Sequence, residues 1–355
     1  MENFTVNRHI MRYYQHFALK YYRFLYVFRV FIALSLIQIL IRLFDVPYGT
    51  WALITAVTVM GTIPFIGGVL SKAKQRIWGT VIGAGLGLSL YLIPTQWNWL
   101  HHVMFIGITL VAMYFTQKKY AYAALVVAIT IVVVAGGGPE DFDAALWRTV
   151  NVLWAGIVAI LCSIYVFPSR ATDHFFDLVS QFLAKSGNFY HQHNQTLAMG
   201  MFTPLETQEL LKLLDQQQEL LPHALKEAGP NKQVITNTLL IEKRMYTMID
   251  TLVSTSWDTQ QGQEKISDMP CLTQAKEQLA RRFARLSRQI TRKAITPIHK
   301  NEIVILHLLP HRAPHDQDDT SDISYFGYLW LNRELARQFS TLSQTLCKLF
   351  RYQEQ

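Results

Sequence analysis

Between residues 25 and 167 six apolar stretches follow one another, at roughly 25–44, 50–70, 77–93, 99–115, 120–135 and 147–167, and none contains Asp or Glu. An α-helix needs about 20 apolar residues to cross some 30 Å of hydrocarbon. Stretches this long, this close together and this poor in charge leave a soluble fold little polar surface. They predict a domain of six transmembrane helices over 25–167, preceded by a cytoplasmic amphipathic segment, 1–24.

Charge is divided unevenly. Residues 1–167 hold 12 Lys and Arg against 5 Asp and Glu, whereas 168–355 hold 21 against 20. The net charge of +8 therefore sits almost wholly in the apolar half. A nucleic-acid binder would gather it on a soluble domain instead, so no nucleic-acid partner is expected. The basic runs SKAKQR (71–76) and TQKK (116–119) alternate with PTQWN (94–98), which is uncharged, and GGGPEDFD (136–143), which is acidic. The positive-inside rule then places both termini in the cytoplasm.

A shift of 72 residues lays Ala52, Leu53, Ala56 and Thr58 on Ala124, Leu125, Ala128 and Thr130. Without a gap it also lays Arg76 on Arg148, Gly79 on Asn151 and Arg29 on His101. Three helices per copy would insert the second copy upside down, a 3+3 inverted repeat. Such repeats set a substrate path near the midplane, between the halves. Buried charge is costly in a bilayer and marks function unless it snorkels to an interface. Arg29, Arg76 and Arg148, with Thr58, Thr130 and Asn151, therefore form the expected lining of that path. Positive charge and hydroxyls without carboxylates would attract anions. Only His101, His102 and Asp45 are placed to carry a proton. Gly79, Gly83 and Gly87 recur every four residues and predict a bare stripe for close helix packing.

The segment Arg76-Ile-Trp-Gly79-Thr80-Val-Ile-Gly83 resembles the RxxGTxxG signature of the fusaric acid resistance and aromatic acid exporter family of bacterial inner-membrane proteins. TWALITAVTVMG, ALWRTVNVLWAG and YFGYLWLNRELARQF extend the resemblance over nearly the whole chain. It implies a multi-pass inner-membrane efflux carrier or anion pathway for small, often aromatic, carboxylates. Plant aluminium-activated malate transporters look like distant relatives, which implies a dimeric, arginine-lined path. Longer family exporters carry a second membrane block, which implies a homodimer or higher oligomer here. The alternative reading is a non-transporting scaffold, with six helices that anchor a partner-binding bundle.

After Pro168 amphipathic helices are expected at 170–196, 204–227, 232–257, 271–294, 298–309 and 324–352, a cytoplasmic bundle over 168–355. ARRFARLSRQITRK (280–293) is strongly basic; it reads as a surface facing water or lipid headgroups, or as a dock for an anionic partner. His191 and His193 stand two apart and so off a common helix face. Cys162, Cys271 and Cys347 lie far from one another and read as buried thiols rather than a metal pattern. With no phosphate-binding loop and no catalytic constellation, neither an enzyme nor a cofactor is expected.

Overall fold

The computed structural model describes residues 21–61, 64–118, 120–136, 142–198, 206–255, 270–296, 300–308 and 320–351. The expected segment 1–24 therefore lies outside the described residues up to 20. Among the described residues all regular structure is helical, and the chain divides into two compact units on either side of the Arg170–Ala171 bond.

The first unit holds α1 (Tyr22–Leu43), α2 (Thr50–Met60), α3 (Ile66–Ser89), α4 (Asn98–Phe115), α5 (Ala121–Ala135) and α6 (Phe142–Tyr165). Three helical stretches, Tyr22–Leu43, Asn98–Phe115 and Leu146–Tyr165, are long and apolar enough to cross a membrane, and α2 and α5 are shorter apolar helices. Two expectations are corrected here. The stretch 50–70 is not one helix: α2 stops at Met60, and α3 starts at Ile66 rather than near 77. Pro64 enforces the break, because proline disfavours helical backbone in the residue before it. In consequence 71–76 is no loop. Lys72, Lys74 and Arg76 lie within α3, and Arg76 is ten residues past its start.

Small residues make the interior of this unit. Ala33, Ala52, Ala56, Ala73, Ala155 and Ala159 are buried, while Phe24, Phe31, Ile39, Leu110 and Val111 face outward. That is the arrangement of a solvent as apolar as the core, where close backbone contact rather than the hydrophobic effect draws helices together. α3 lies along α5, and α6 lies along α2 and α3; α1 packs on α2, and α4 on α5. Under the 72-residue shift the pairs α3–α5 and α6–α2 exchange places, as do α1–α2 and α4–α5. The contact of α1 with α6 has no counterpart of like extent between α4 and α3.

The glycines set the closest contact. A Cβ on Gly79 would lie 2.7 Å from the Ala123 carbonyl oxygen and 2.9 Å from the Val126 Cβ. On Gly83 it would meet the Thr130 Cβ at 2.7 Å and the Val127 carbonyl oxygen at 2.8 Å, and on Gly87 the Val134 side chain at 2.8 Å. α6 presents Asn151, Ala155 and Ala159 at the shifted positions, all fully buried.

The second unit holds α7 (Ala171–Ala198), α8 (Gln208–Glu227), α9 (Lys232–Ser254), α10 (Pro270–Thr291) and α11 (Thr320–Arg351). α7 packs on both α8 and α10, and α9 packs on α11. Phe175, Phe182, Phe283, Phe339, Tyr190 and Tyr328 fill its interior. The helix expected at 298–309 is replaced among the described residues by two 3₁₀ turns, Lys300–Glu302 and Val304–Leu306. The buried Ile303 and Ile305 stand two apart, a spacing that cannot share one face of an α-helix.

Gly83→Val is expected to destabilise the protein by about 1–3 kcal/mol, the usual cost of forcing extra carbon into a packed contact. Gly85, whose Cβ would meet nothing within 4 Å, supplies the control, and Gly85→Ala should be tolerated. Thermal unfolding of both variants in detergent checks this; equal melting points would show that the α3–α5 contact has slack.

Candidate functional site

α3 places Arg76, Gly79, Thr80, Gly83 and Gly87 on one face by their spacing of 3, 4, 7 and 11. The stripe that seats α3 against α5 therefore carries a guanidinium and a hydroxyl with it. α6 repeats the pattern with Arg148, Asn151, Val152, Ala155 and Ala159. The two faces meet around a cavity of about 30 Å³. Its walls are Trp51 of α2, Arg76 and Thr80 of α3, Val126, Ile129, Thr130, Val133 and Val134 of α5, and Arg148, Thr149 and Val152 of α6. The lining contains two arginines and no carboxylate.

Each arginine is held by part of its fork only. Arg76 Nη2 reaches Thr55 Oγ1 at 3.4 Å, and Arg148 Nη1 donates to the Val133 carbonyl at 2.6 Å. The Arg148 guanidinium also lies 5.5 Å from the centre of the Trp51 ring, within cation–π range. The Nε–H of both arginines is buried with no hydrogen-bond partner. A buried donor on a charged group that lacks an acceptor costs more than the usual 1–3 kcal/mol of an orphaned polar atom. What this arrangement can do chemically is accept a small anion. The Arg76 side chain also ties α3 to α2 through Thr55, whose hydroxyl in turn donates to the Trp51 carbonyl at 2.8 Å.

The other residues expected on the path lie elsewhere. Arg29 is 1% exposed, and its guanidinium donates through Nε to the Val166 carbonyl at 3.0 Å, through Nη1 to Pro64 at 3.1 Å, and through Nη2 to Phe167. It ties α1 to the turn before α3 and to the chain leaving α6, and it does not line the cavity. Asn151 donates to the Pro47 carbonyl at 2.8 Å and accepts from Trp154 Nε1 at 2.9 Å, which fixes α6 to the α1–α2 turn. Thr58 donates to its own helix at the Ile54 carbonyl, 2.8 Å away, as Ser and Thr commonly do in apolar helices. Thr130 does so too, with Val126 at 2.7 Å, but its side chain also forms part of the cavity wall. His101 is buried with both ring nitrogens unpartnered beside the exposed His102, 5.6 Å between ring centres. Asp45 sits exposed in a turn with φ 44°. Neither His101, His102 nor Asp45 touches the cavity. Trp51, Thr80 and Thr149 escaped the sequence reading as path residues. Thr80 had a signal, standing four residues from Arg76 on the glycine face; Trp51 had none.

The second unit buries a polar cluster. Lys276 Nζ donates to Tyr328 Oη at 3.0 Å, which lies 3.3 Å from His193 Nε2, and Tyr190 Oη donates to Asn332 Oδ1. Burial first, and the Lys276 charge second, lower the His193 pKa to about 3, so this imidazole is neutral at physiological pH. His191 is exposed and pairs with Gln195 instead. Among the described residues no group of His, Cys, Asp and Glu could hold a metal ion. Cys162 and Cys347 are buried as expected of inert thiols, but Cys271 is exposed, because it faces away from the core that its neighbour Leu272 enters.

Glu242 of α9 and Gln217 of α8 are both fully buried side by side, and neither completes a hydrogen bond of normal geometry. Burial pushes the Glu242 carboxyl well above the usual range, opposed only weakly by Gln217. A raised folded-state pKa means that the folded form holds the proton more tightly. Its contribution is complete below the unfolded carboxylate value of about 4.3 and is lost as pH climbs towards the folded value, by up to about 1.4 kcal/mol per unit. Glu242→Gln should remove that slope, so the variant gains on the parent as pH rises from 4.5 to 7. Melting temperatures measured across this range check it, and parallel curves would refute a buried protonated carboxyl.

Residues 32–162, which span α1 to α6 almost completely, match the family described as fusaric acid resistance protein-like. Over 342 residues the chain is 26% identical to inner membrane protein YeeA of Escherichia coli (strain K12), covering 94% of this chain and 96% of that protein. It is also 24% identical over 155 residues to inner membrane protein YccS of the same organism, covering 43% of this chain and 21% of that longer protein.

Proposed function

We propose that this chain, whose residues 32–162 match the fusaric acid resistance protein-like family, is an inner-membrane transporter of small organic anions. Export is the proposed direction, since the matched family is described by resistance to an acid, and aromatic carboxylates are the first substrates to test. The observation that carries the reading is the pair Arg76 and Arg148 facing one cavity with Thr80 and Thr130, no carboxylate in the lining, and a free buried Nε–H on each arginine. An anion entering there supplies the acceptors that the protein withholds.

The path runs between two inverted halves, α1–α3 and α4–α6. The exchange of the α3–α5 and α6–α2 contacts under the 72-residue shift supports this. So does the shortness of α2 and α5, the corresponding helices of the two halves, since discontinuous or short spans flank substrate sites in inverted-repeat carriers. A cavity of about 30 Å³ has room for water and not for a benzoate-sized acid. Passage therefore requires the halves to rock and part α3 from α5. All six helices lie within the bilayer, α2 and α5 as the short ones, with both termini and the second unit in the cytoplasm and two or more copies in the assembly.

Arg76→Gln and Arg148→Gln should each lower uptake of labelled carboxylates into proteoliposomes about tenfold to a hundredfold, the value of a charge-assisted hydrogen bond of about 1.5–3 kcal/mol. Arg29→Ala should instead lower the melting temperature, because it strands three carbonyls, without shifting the order of preference among substrates. A parent protein that moves no acid in a panel of aliphatic and aromatic carboxylates would sink the reading. So would both Gln variants transporting at the parent rate.

A further inference from the structure

α10 carries Arg281, Arg285 and Arg288, and Arg292 follows in the turn that closes it, its N–H donating to the Arg288 carbonyl at 3.1 Å; intervals of four, three and four residues place them on one side over about 17 Å. All four are exposed, while Leu279, Phe283, Leu286 and Ile290 bury the opposite face. Arg281 pairs with Glu277 of the preceding turn, 3.2 Å away. Among the described residues the other three pair with no carboxylate, and Arg288 donates to the backbone carbonyl of Ala284 at 3.1 Å. A solvated helix face usually intersperses acids with its arginines, and here the C-terminal three-quarters of the stripe has none.

One contact fixes where the stripe ends. Lys293, just past Arg292, pairs with Asp173 in the first turn of α7 at 2.9 Å. α7 and α10 run antiparallel, since Ser180 meets both Ser287 and Thr291 while Gly187 lies against Phe283. Asp173 follows the end of α6 at Tyr165 by eight residues, and eight residues reach at most about 29 Å.

We infer that the arginine face of α10 docks on the anionic phospholipid headgroups of the leaflet at which α6 ends. Phosphate-bearing lipid is the occupant because guanidinium forks match phosphate oxygens in pairs and because the tether keeps a leaflet always in reach. Basic residues near an anionic surface contribute about 1 kcal/mol each, which amounts to about fivefold in partitioning per arginine, and the attraction is screened by salt. The inference needs the apolar helices to lie in a bilayer and does not depend on what they move.

Full-length protein carrying Cys271→Ser and Gln278→Cys is labelled with a fluorophore and placed in nanodiscs containing headgroup-quencher lipid. Quenching should be strong with one-third phosphatidylglycerol, weak in pure phosphatidylcholine, and reduced at least fivefold by 0.5 M salt. R281Q/R285Q/R288Q/R292Q should behave in phosphatidylglycerol as the parent does in phosphatidylcholine, with unchanged melting temperature, since all four side chains are on the surface. Equal quenching in both lipids, or none in either, would overturn the inference. The second outcome would leave the face to an acidic protein. Carboxylate uptake measured on the same quadruple variant separates this result from the transport reading, because docking can fail while transport persists.

Discussion

The contact of α3 with α5 governs the first unit. Three glycines let the α3 backbone lie against the Ala123 and Val127 carbonyls and the Val126, Thr130 and Val134 side chains, at distances no Cβ would permit. In a bilayer no hydrophobic force distinguishes helix from lipid, so such close van der Waals packing is what holds the pair. α6 on α2 is the same device with Asn151, Ala155 and Ala159 in place of glycines. Asn151 is tolerated there because Pro47 and Trp154 satisfy its amide.

This packing also explains how two guanidinium groups can lie inside an apolar unit. Arg76 and Arg148 stand about one turn before their small-residue stripes, and the cavity they line also takes in Val126, Thr130 and Val134, the residues packed on the glycines. Each is partly satisfied by neighbouring oxygen atoms and, for Arg148, by the Trp51 ring. Arg29 is the contrasting case. It is more deeply buried, and three carbonyls engage all three of its guanidinium nitrogens. Arg29 is fully buried while Arg76 and Arg148 are half-buried with buried Nε atoms; what separates the structural arginine from the two candidate binding ones is whether those donors are already used.

The second unit follows the opposite rules. Its core is aromatic and aliphatic, its helices are amphipathic, and its ionisable groups lie mostly outside, apart from Glu242, whose pKa burial raises, and the Lys276–Tyr328–His193 cluster. Its amphipathic helices are what water demands, whereas the small-residue seams of the first unit are what lipid permits. The basic face of α10 lies on this unit, where the arginines at 281, 285, 288 and 292 are free of the core.

By itself the sequence determined most of the helical elements, the division near Arg170 and the resemblance of residues 32–162 to the fusaric acid resistance protein-like family, because hydropathy, helical periodicity and the RxxGTxxG spacing are all local signals. It also marked Arg76, Arg148 and Thr130, whose positions pair at a shift of 72, and the glycine stripe, by its recurrence every four residues. It misjudged the break at Pro64, running one apolar stretch through it and reading 71–76 as a loop, because apolarity alone does not register where a backbone turns. Which arginine is spent and which is free was decided only by tertiary structure. That depends on carbonyls 35 to 138 residues away along the chain from Arg29 and on Trp51 arriving beside Arg148, distances over which no local pattern carries information.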